Sequence, residues 1–444
     1  MKTERLAIDG GSKAVSQLAP FPPKVGRDEL WELLNLWEFT PENREQLRRI
    51  VFEDPSVAGP HLFRYYNPKP SRVAAAEADL ARQLGVAHCL AVNSGTSALM
   101  AALRALGVGA GDEVIVPGYT FFATAATVAA CNAVPIIVDV DDSLTLDPVA
   151  VEQAVTPRTK AIIAVHMRGA AAQMDALSDM AQRLGLPLIE DVAQAAGASF
   201  NSTSLGAIGT MGCFSFNYYK IAVSGEGGFV VTDDEWLYTR AQSWHDTAAC
   251  WRPDRYGRER HDGELFCGEN YRMTELEGAV ALAQIRKLPD MVAGNRRVKQ
   301  RIKTAIEPLP GLNFRRLTDQ DGDAATWLVL FLPDADMTRK AIAALKAEGV
   351  PCGGIYDKTV RDWHVYTYWD QILQKKSVAR DGLPWSALPE DEQPVYTPDM
   401  CPRTLNLLER SIHIDIYRHY TDENCTDIAH GINKVLSAFF KREK

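Results

Sequence analysis

One lysine, Lys220, stands between the apolar run Cys213-Phe214-Ser215-Phe216 and the turn Gly225-Glu226-Gly227-Gly228, which leads into a second apolar run from Phe229. An ammonium beside so much apolar sequence is costly unless something uses or neutralises it. Desolvation lowers the pKa of an amine and frees its nucleophilic form, so a lysine so placed can form an imine with an aldehyde. A lysine snorkelling at a strand end fits the local sequence as well. Other residues bear on the choice. Asp191 closes the run Leu188-Ile189-Glu190-Asp191, and Phe121 offers a flat ring in Tyr119-Thr120-Phe121. Asn93-Ser94-Gly95-Thr96-Ser97 is a small-residue turn ahead of a helix, where free N–H groups and the helix dipole favour an anion such as phosphate. An ordinary Ser/Thr cap would leave the same pattern.

The elements that must position these residues alternate. His88–Val92, Glu113–Pro117, Pro135–Val140, Lys160–His166 and Leu188–Asp191 read as strands, with helices at Val73–Leu84 (Gly85 its C-cap), Ala98–Leu106 and Met174–Leu184. Gly118–Thr124 reads as the opening of a helix, and Asp147-Pro148 as the start of another. Near-continuous apolar strands alternating with helices imply a largely parallel sheet covered on both faces, with ligands at the carboxyl ends of its strands. Ser94 to Thr96, Thr120-Phe121, His166 and Asp191 all fall at such ends. Phe214–Phe216 and Phe229–Thr232 read as a hairpin-like pair flanking Lys220, and Met273–Ile285 as an amphipathic helix. Trp244–Asn270 reads as a loop over a site or an interface.

Length and composition bound the rest. At 444 residues, 46% hydrophobic and 24% charged, the chain is long enough for two domains. The expected division is an irregular arm over 1–70, with Pro20, Pro22 and Pro23, a large domain over 71–296 and a smaller C-terminal α/β domain over 297–444. The last carries an irregular aromatic stretch, 363–401, long enough to be functional or interfacial. With 48 basic against 57 acidic residues the net charge is −9, which argues against a nucleic-acid partner. Met1 to Leu6 lack the apolar core of a signal peptide, and no helix candidate is long enough to span a bilayer. The eight cysteines, Cys250 among them, form no C-x-x-C pair, which favours reduced thiols in a cytoplasmic protein with no metal framework.

One cofactor accounts for the set. Pyridoxal 5'-phosphate requires an imine-forming lysine, an acid at its ring nitrogen, an anion site for its phosphate and a flat group against its ring. Lys220, Asp191, the Gly95-Thr96 turn and Phe121 can supply these in turn. A carboxylate beside the pyridine nitrogen keeps it protonated, so that the ring can accept electrons.

The motifs Asn93-Ser94-Gly95-Thr96-Ser97-Ala98-Leu99, Val116-Pro117-Gly118-Tyr119-Thr120-Phe121, Glu190-Asp191-Val192-Ala193-Gln194, Ser215-Phe216 with Lys220, Gly225-Glu226-Gly227-Gly228 and Asn270-Tyr271-Arg272-Met273 are similar in order and spacing to the DegT/DnrJ/EryC1/StrS family of sugar and cyclitol aminotransferases. The resemblance implies an α/β fold of the aspartate-aminotransferase type (fold type I), with a mostly parallel mixed sheet in the large domain. It implies that Lys220 is the Schiff-base lysine and proton shuttle, Asp191 the ring-nitrogen partner and Gln194 the hydrogen-bond partner of the ring hydroxyl. Gly95, Thr96 and Ser215 become phosphate ligands and Phe121 the stacking ring. Asn270 becomes a residue that reaches the neighbouring subunit's site, hence a homodimer with shared active sites. Family members that dehydrate carry histidine in place of the lysine, so Lys220 implies amino transfer.

The implied reaction moves an amino group from glutamate or glutamine to a keto-sugar, sugar aldehyde or ketocyclitol. The opening Leu6-Ala7-Ile8-Asp9-Gly10-Gly11 resembles cyclitol-type members. An octulosonate-type acid-sugar transaminase and a non-catalytic cofactor-binding sensor remain as alternatives. His166-Met167-Arg168-Gly169-Ala170 departs from the family's pattern: Arg168 adds a charge, which is either a surface arginine or a partner for an anionic substrate. Tyr218-Tyr219 and the 363–401 stretch are also unusual and suggest a specialised acceptor pocket.

Overall fold

In the computed structural model the described residues are 4–15, 17, 24–57, 59–65, 69–249, 257–357, 359 and 361–441; Met1 to Thr3, Pro20, Pro22, Pro23 and Cys250 lie outside them. The chain divides into two compact units, Met1–Lys69 and Pro70–Lys444. The first contains helices α1 (Arg27–Leu34) and α2 (Pro41–Glu53). Thr40 caps α2 by accepting from Asn43 N, and Pro41 follows where its missing N–H costs nothing. Trp31 meets Phe52 edge to face at 6.0 Å, joining the two helices.

The second unit opens with α3 (Arg72–Leu84), β1 (His88–Val92), α4 (Gly95–Ala105), β2 (Glu113–Pro117), α5 (Ala123–Ala130), β3 (Val134–Val138), α6 (Pro148–Ala154) and β4 (Thr159–Val165). It continues with α7 (Met174–Leu184), β5 (Leu188–Asp191), the short pair β6 (Ser199–Phe200) and β7 (Thr203–Ser204), β8 (Met211–Ser215), β9 (Gly228–Thr232), α8 (Glu235–His245) and α9 (Glu275–Ala305). The last part holds β10 (Asn313–Phe314), β11 (Trp327–Phe331), α10 (Ala335–Ala347), β12 (Cys352–Gly353), α11 (Asp370–Leu373), α12 (Pro402–Glu409), β13 (Ser411–Asp415) and α13 (Asp422–Lys441).

Seven strands form a mixed sheet in the order β1-β9-β8-β5-β4-β2-β3. The ladders from β8 across to β3 are parallel, and β9 runs antiparallel to both β8 and β1. The side-chain period of two divides the strands between two cores. Leu90, Val92, Val114, Val116 and Cys213 face one core, while Cys89, Ala91, Ile115 and Phe214 face the other. Both faces are covered, so the strands are apolar over most of their length, as the sequence pattern requires. Four strands, in the order β10-β11-β13-β12, form a second, antiparallel sheet with its own core.

The helix expected over Met273–Ile285 extends to Ala305 and passes through Pro289. Proline leaves the carbonyl four residues back without its donor. Here that carbonyl is Ile285 O, and Gln83 Nε2 donates to it at 3.0 Å. The two ends of α9 pack into different cores, Ile285 and Val292 with the larger sheet and Val298 and Ile302 with the smaller. Position 297, where the sequence changes character, therefore lies inside a continuous helix.

Gly118 to Phe122 is not helical, and α5 begins at Ala123. Its backbone groups are taken elsewhere: Gly118 N donates to Val138 O (2.8 Å), Thr120 N to His364 O (3.0 Å), and Gly118 O accepts from Tyr366 N (3.0 Å). The 363–401 stretch thus docks on the edge of the larger sheet, where Tyr366, Trp369, Trp385 and Leu388 join its core.

Candidate active site

Lys220 lies in the loop joining the antiparallel strands β8 and β9, at the edge where β1, β5 and β8 end. The loop is bound from both sides: Phe216 N donates to Gly227 O (2.9 Å), Tyr218 N to Gly225 O (3.0 Å) and Ser224 N to Phe216 O (2.7 Å). Gly228 is required here, because a Cβ at this position would come within 2.4 Å of Ser94 O and 2.7 Å of Phe214 O. The Lys220 amine is half-buried and makes no hydrogen bond or ion pair among the described residues. Its pKa falls below the ordinary 10.5: burial disfavours the ammonium and the charge of Arg168 adds to this, while Asp191 opposes it. A larger share of nucleophilic amine at neutral pH is the result.

Asp191 ends β5, one ladder from β8. It is buried, and accepts from Thr124 Oγ1 at 3.0 Å and from Ala193 N at 3.1 Å. Thr124 is held in turn by Thr120 Oγ1 at 2.8 Å. Burial raises the pKa of Asp191, opposed by these two donors and by Lys220. A carboxylate in that state gains from any cation brought to it.

The preceding residue, Glu190, faces the other layer and is fully buried. It accepts from Gly206 N (2.8 Å), Ile208 N (2.7 Å) and Gly209 N (2.6 Å), and from His166 Nε2 (3.0 Å). Ala172 N donates to His166 Nδ1 at 3.0 Å, which places the ring proton on Nε2. The pair ties the end of β4 to the end of β5 and so fixes the turn carrying Asp191. Sequence reasoning placed His166 at a strand end but missed its partner.

The anion site forms at the start of α4. Ser94 Oγ accepts from Ser97 N at 3.0 Å, leaving the Gly95 and Thr96 amides without a partner among the described residues. Gly95 touches Ser215 so closely that a Cβ there would lie 2.5 Å from Ser215 Cβ. Gly95, Thr96 and Ser215 therefore share one cradle, next to the Lys220 loop. Phe121 is 44% exposed with its ring 5.4 Å from that of His364. Gln194 follows β5, and its Oε1 accepts from Arg168 N at 3.2 Å. Asn270 is exposed, pairs with Asp246 and accepts from Arg272 N at 3.3 Å, while the carbonyl of the next residue, Tyr271, accepts from Asn93 N at 2.9 Å. No hydrogen bond or ion pair joins Asn270 to Lys220, Asp191 or Gln194 among the described residues.

Two further features surround the set. Arg168 is not a surface arginine; its guanidinium lies 3.8 Å from the Trp327 ring centroid. The 363–401 stretch contributes His364, whose Nδ1 and backbone N bond Asp362 Oδ1 at 2.7 and 2.8 Å. Nothing local in the sequence marks His364, since its approach to Phe121 depends on where the stretch docks.

A half-buried amine facing a buried carboxylate, beside a helix-start cradle that only glycine permits, fits pyridoxal 5'-phosphate in each functional group. The fold is that of the fold type I pyridoxal-phosphate-dependent transferases. The chain matches the DegT/DnrJ/EryC1/StrS aminotransferase family over residues 69–381, and it belongs to that family. It is similar to the L-glutamine:2-deoxy-scyllo-inosose aminotransferase of Micromonospora echinospora, 41% identical over 299 residues, covering 64% of each chain. It is also similar to the protein of the same name from Streptomyces kanamyceticus, 36% identical over 371 residues, covering 80% of this chain and 81% of that one. The chain thus spans just under two thirds of the Micromonospora relative's length. Among solved structures, 3-amino-5-hydroxybenzoic acid synthase superposes with a TM-score of 0.68 at 28% identity, over 83% of this chain and 91% of that one.

Proposed function

We propose that the protein is a pyridoxal-5'-phosphate-dependent aminotransferase that moves the amino group of L-glutamine, or of glutamate, onto the carbonyl of a cyclitol or keto-sugar. The observation that carries this reading is Lys220, an amine with no hydrogen bond or ion pair among the described residues, depressed in pKa by burial and within electrostatic reach of buried Asp191 at the carboxyl edge of the sheet. The names of the relatives favour a ketocyclitol acceptor and glutamine as donor.

When bound, the cofactor supplies an electron sink for the bond broken at the amino-acid α-carbon. Asp191, held by Thr124 and the Ala193 amide, would keep the ring nitrogen protonated by charge pairing. The Gly95 and Thr96 amides and the Ser215 hydroxyl would hold its phosphate, Phe121 would cover its ring and Gln194 would bond its hydroxyl. Lys220 Nζ would be the amine that holds the cofactor, and its depressed pKa favours the nucleophilic form. The Lys220 amine would act as general base toward the proton on the substrate α-carbon and return that proton as general acid, which its depressed pKa permits at neutral pH. The same groups act in reverse on the acceptor, giving ping-pong kinetics.

Asn270, exposed and with no hydrogen bond or ion pair to Lys220, Asp191 or Gln194 among the described residues, would serve the site of a second copy in a homodimer. Tyr218 and Tyr219, 72% and 89% exposed beside the Lys220 loop, offer an apolar face for that copy. The described cysteines are all free, in keeping with a reducing, cytoplasmic setting.

Glutamine added to the purified holoprotein tests the reading. The visible band of the lysine-bound cofactor should give way to the near-ultraviolet band of its aminated form. A band that does not respond to glutamine or glutamate would leave a cofactor-binding protein without turnover and overturn the proposal.

A further inference from the structure

Arg168 occupies an uncommon position for a bulky residue. Its φ is +55°, in the left-handed region, and its amide donates to Gln194 Oε1 at 3.2 Å. Non-glycine residues held there carry strain, and such strain gathers at functional sites. The guanidinium lies over Trp327 of β11, 3.8 Å from the ring centroid, and Nε donates to the Tyr119 hydroxyl at 3.3 Å. Its two Nη groups make no hydrogen bond and no ion pair among the described residues.

A part-buried guanidinium normally closes on a carboxylate. Two carboxylates, Asp362 and Asp415, lie within electrostatic reach, yet neither comes to ion-pair distance. Asp362 is engaged by His364. The remaining polar neighbours supply no anion. Burial, together with the charges of Arg168, Arg315 and His364, holds His413 neutral, and Arg315 is itself a buried cation. The fork of Arg168 is thus aromatic-backed and oriented, with its terminal donors free, and its charge reaches the Lys220 amine.

An amino-acid donor carries a carboxylate on the carbon bearing the amine that must reach Lys220. A neutral cyclitol carries no anion at all. We infer that Arg168, laid on Trp327 and steadied by Tyr119, binds the carboxylate of the amino-acid donor. This rests on the aminotransferase reading and adds the residue that recognises the donor. The planar fork accepts a carboxylate through two parallel N–H···O bonds, and Trp327 keeps the guanidinium in place when the site is empty of donor.

The test compares the wild-type holoenzyme with Arg168→Gln and Arg168→Lys. In Arg168→Gln the KM for L-glutamine should rise about tenfold to a hundredfold, the loss of charged hydrogen bonds, while the KM for the carbonyl acceptor stays unchanged. Arg168→Lys, which keeps a point charge but not the fork, should fall between and guards against a variant that fails to fold. A second readout uses glutaramate, which is glutamine without its α-amine. In the wild type its carboxylate should neutralise Arg168 and raise the pH midpoint of the cofactor's visible band; in Arg168→Gln the midpoint should not move. An unchanged KM for glutamine, or a rise confined to the acceptor, overturns the assignment and gives Arg168 to an acidic acceptor instead. Absence of a visible band in the wild type would instead sink the cofactor reading, and this inference with it.

Discussion

Replacing Glu190 with glutamine keeps the shape of the side chain and removes two acceptor positions. The carboxylate accepts four hydrogen bonds: Ile208 N and Gly209 N on Oε1, Gly206 N and His166 Nε2 on Oε2. In the amide one oxygen becomes an NH2 that faces two donors, whichever way it is turned. His166 cannot relieve the clash by changing tautomer, because its Nδ1 accepts from Ala172 N. Two buried donors lose their acceptor at roughly 1–3 kcal/mol each, or about 2–6 kcal/mol together. That is a large fraction of a stability of about 5–15 kcal/mol. With a urea m-value of about 3 kcal/mol/M, the midpoint followed by tryptophan fluorescence should fall by roughly 1 M. A pH dependence accompanies this. Burial raises the pKa of Glu190, but His166 and the Gly209 and Gly206 amides outweigh it and hold the carboxyl below its ordinary 4.5. The contribution is therefore complete above the unfolded value and is lost as pH falls through the folded one. The variant should lose that acid limb. A midpoint within about 0.2 M of wild type, or an unchanged acid limb, would refute the network.

Other substitutions probe the site itself. Gly95→Ala places a methyl against Ser215 and into the phosphate cradle; at about 1–3 kcal/mol of overpacking the cofactor Kd should rise by about fivefold or more, read by titrating the apoprotein. Asp191→Asn keeps an acceptor for Thr124 but removes the charge at the ring nitrogen, so kcat should fall by about a hundredfold or more with cofactor still bound. Because burial holds the Lys220 amine below its ordinary pKa, the rate at which apoprotein captures the cofactor should rise with pH at a midpoint below 10.5. A midpoint at or above that value would contradict the depression. Tyr219→Asp should weaken self-association, measured by sedimentation, if that exposed face meets a second copy.

Much of the frame is legible in the sequence because it depends on local pattern. The strands ending at Val92, Pro117 and Asp191 are short, largely buried runs with apolar centres, and Gly85 caps α3 at a φ of +78°, as a glycine after a helical run should. The hairpin around Lys220 follows from two apolar runs joined by a glycine-rich turn. Features that depend on distant partners are not legible. Proline at 289 argues for a helix end, and only Gln83, some two hundred residues earlier, answers the carbonyl it orphans. His166 and Glu190 meet only through the β4/β5 register. Gly118–Phe122 carries helix-compatible residues but is drawn into a loop by Val138 and the 363–401 stretch. Arg168 reads as a surface charge until β11 brings Trp327 beneath it.

The central claim is that Lys220 is the amine that carries the cofactor. Borohydride reduction of the holoprotein, followed by proteolysis and mass spectrometry, tests it most directly. The account predicts one modified peptide, with the reduced cofactor on Lys220 and none elsewhere. Attachment to a different lysine, or a cofactor released intact after reduction, would contradict it.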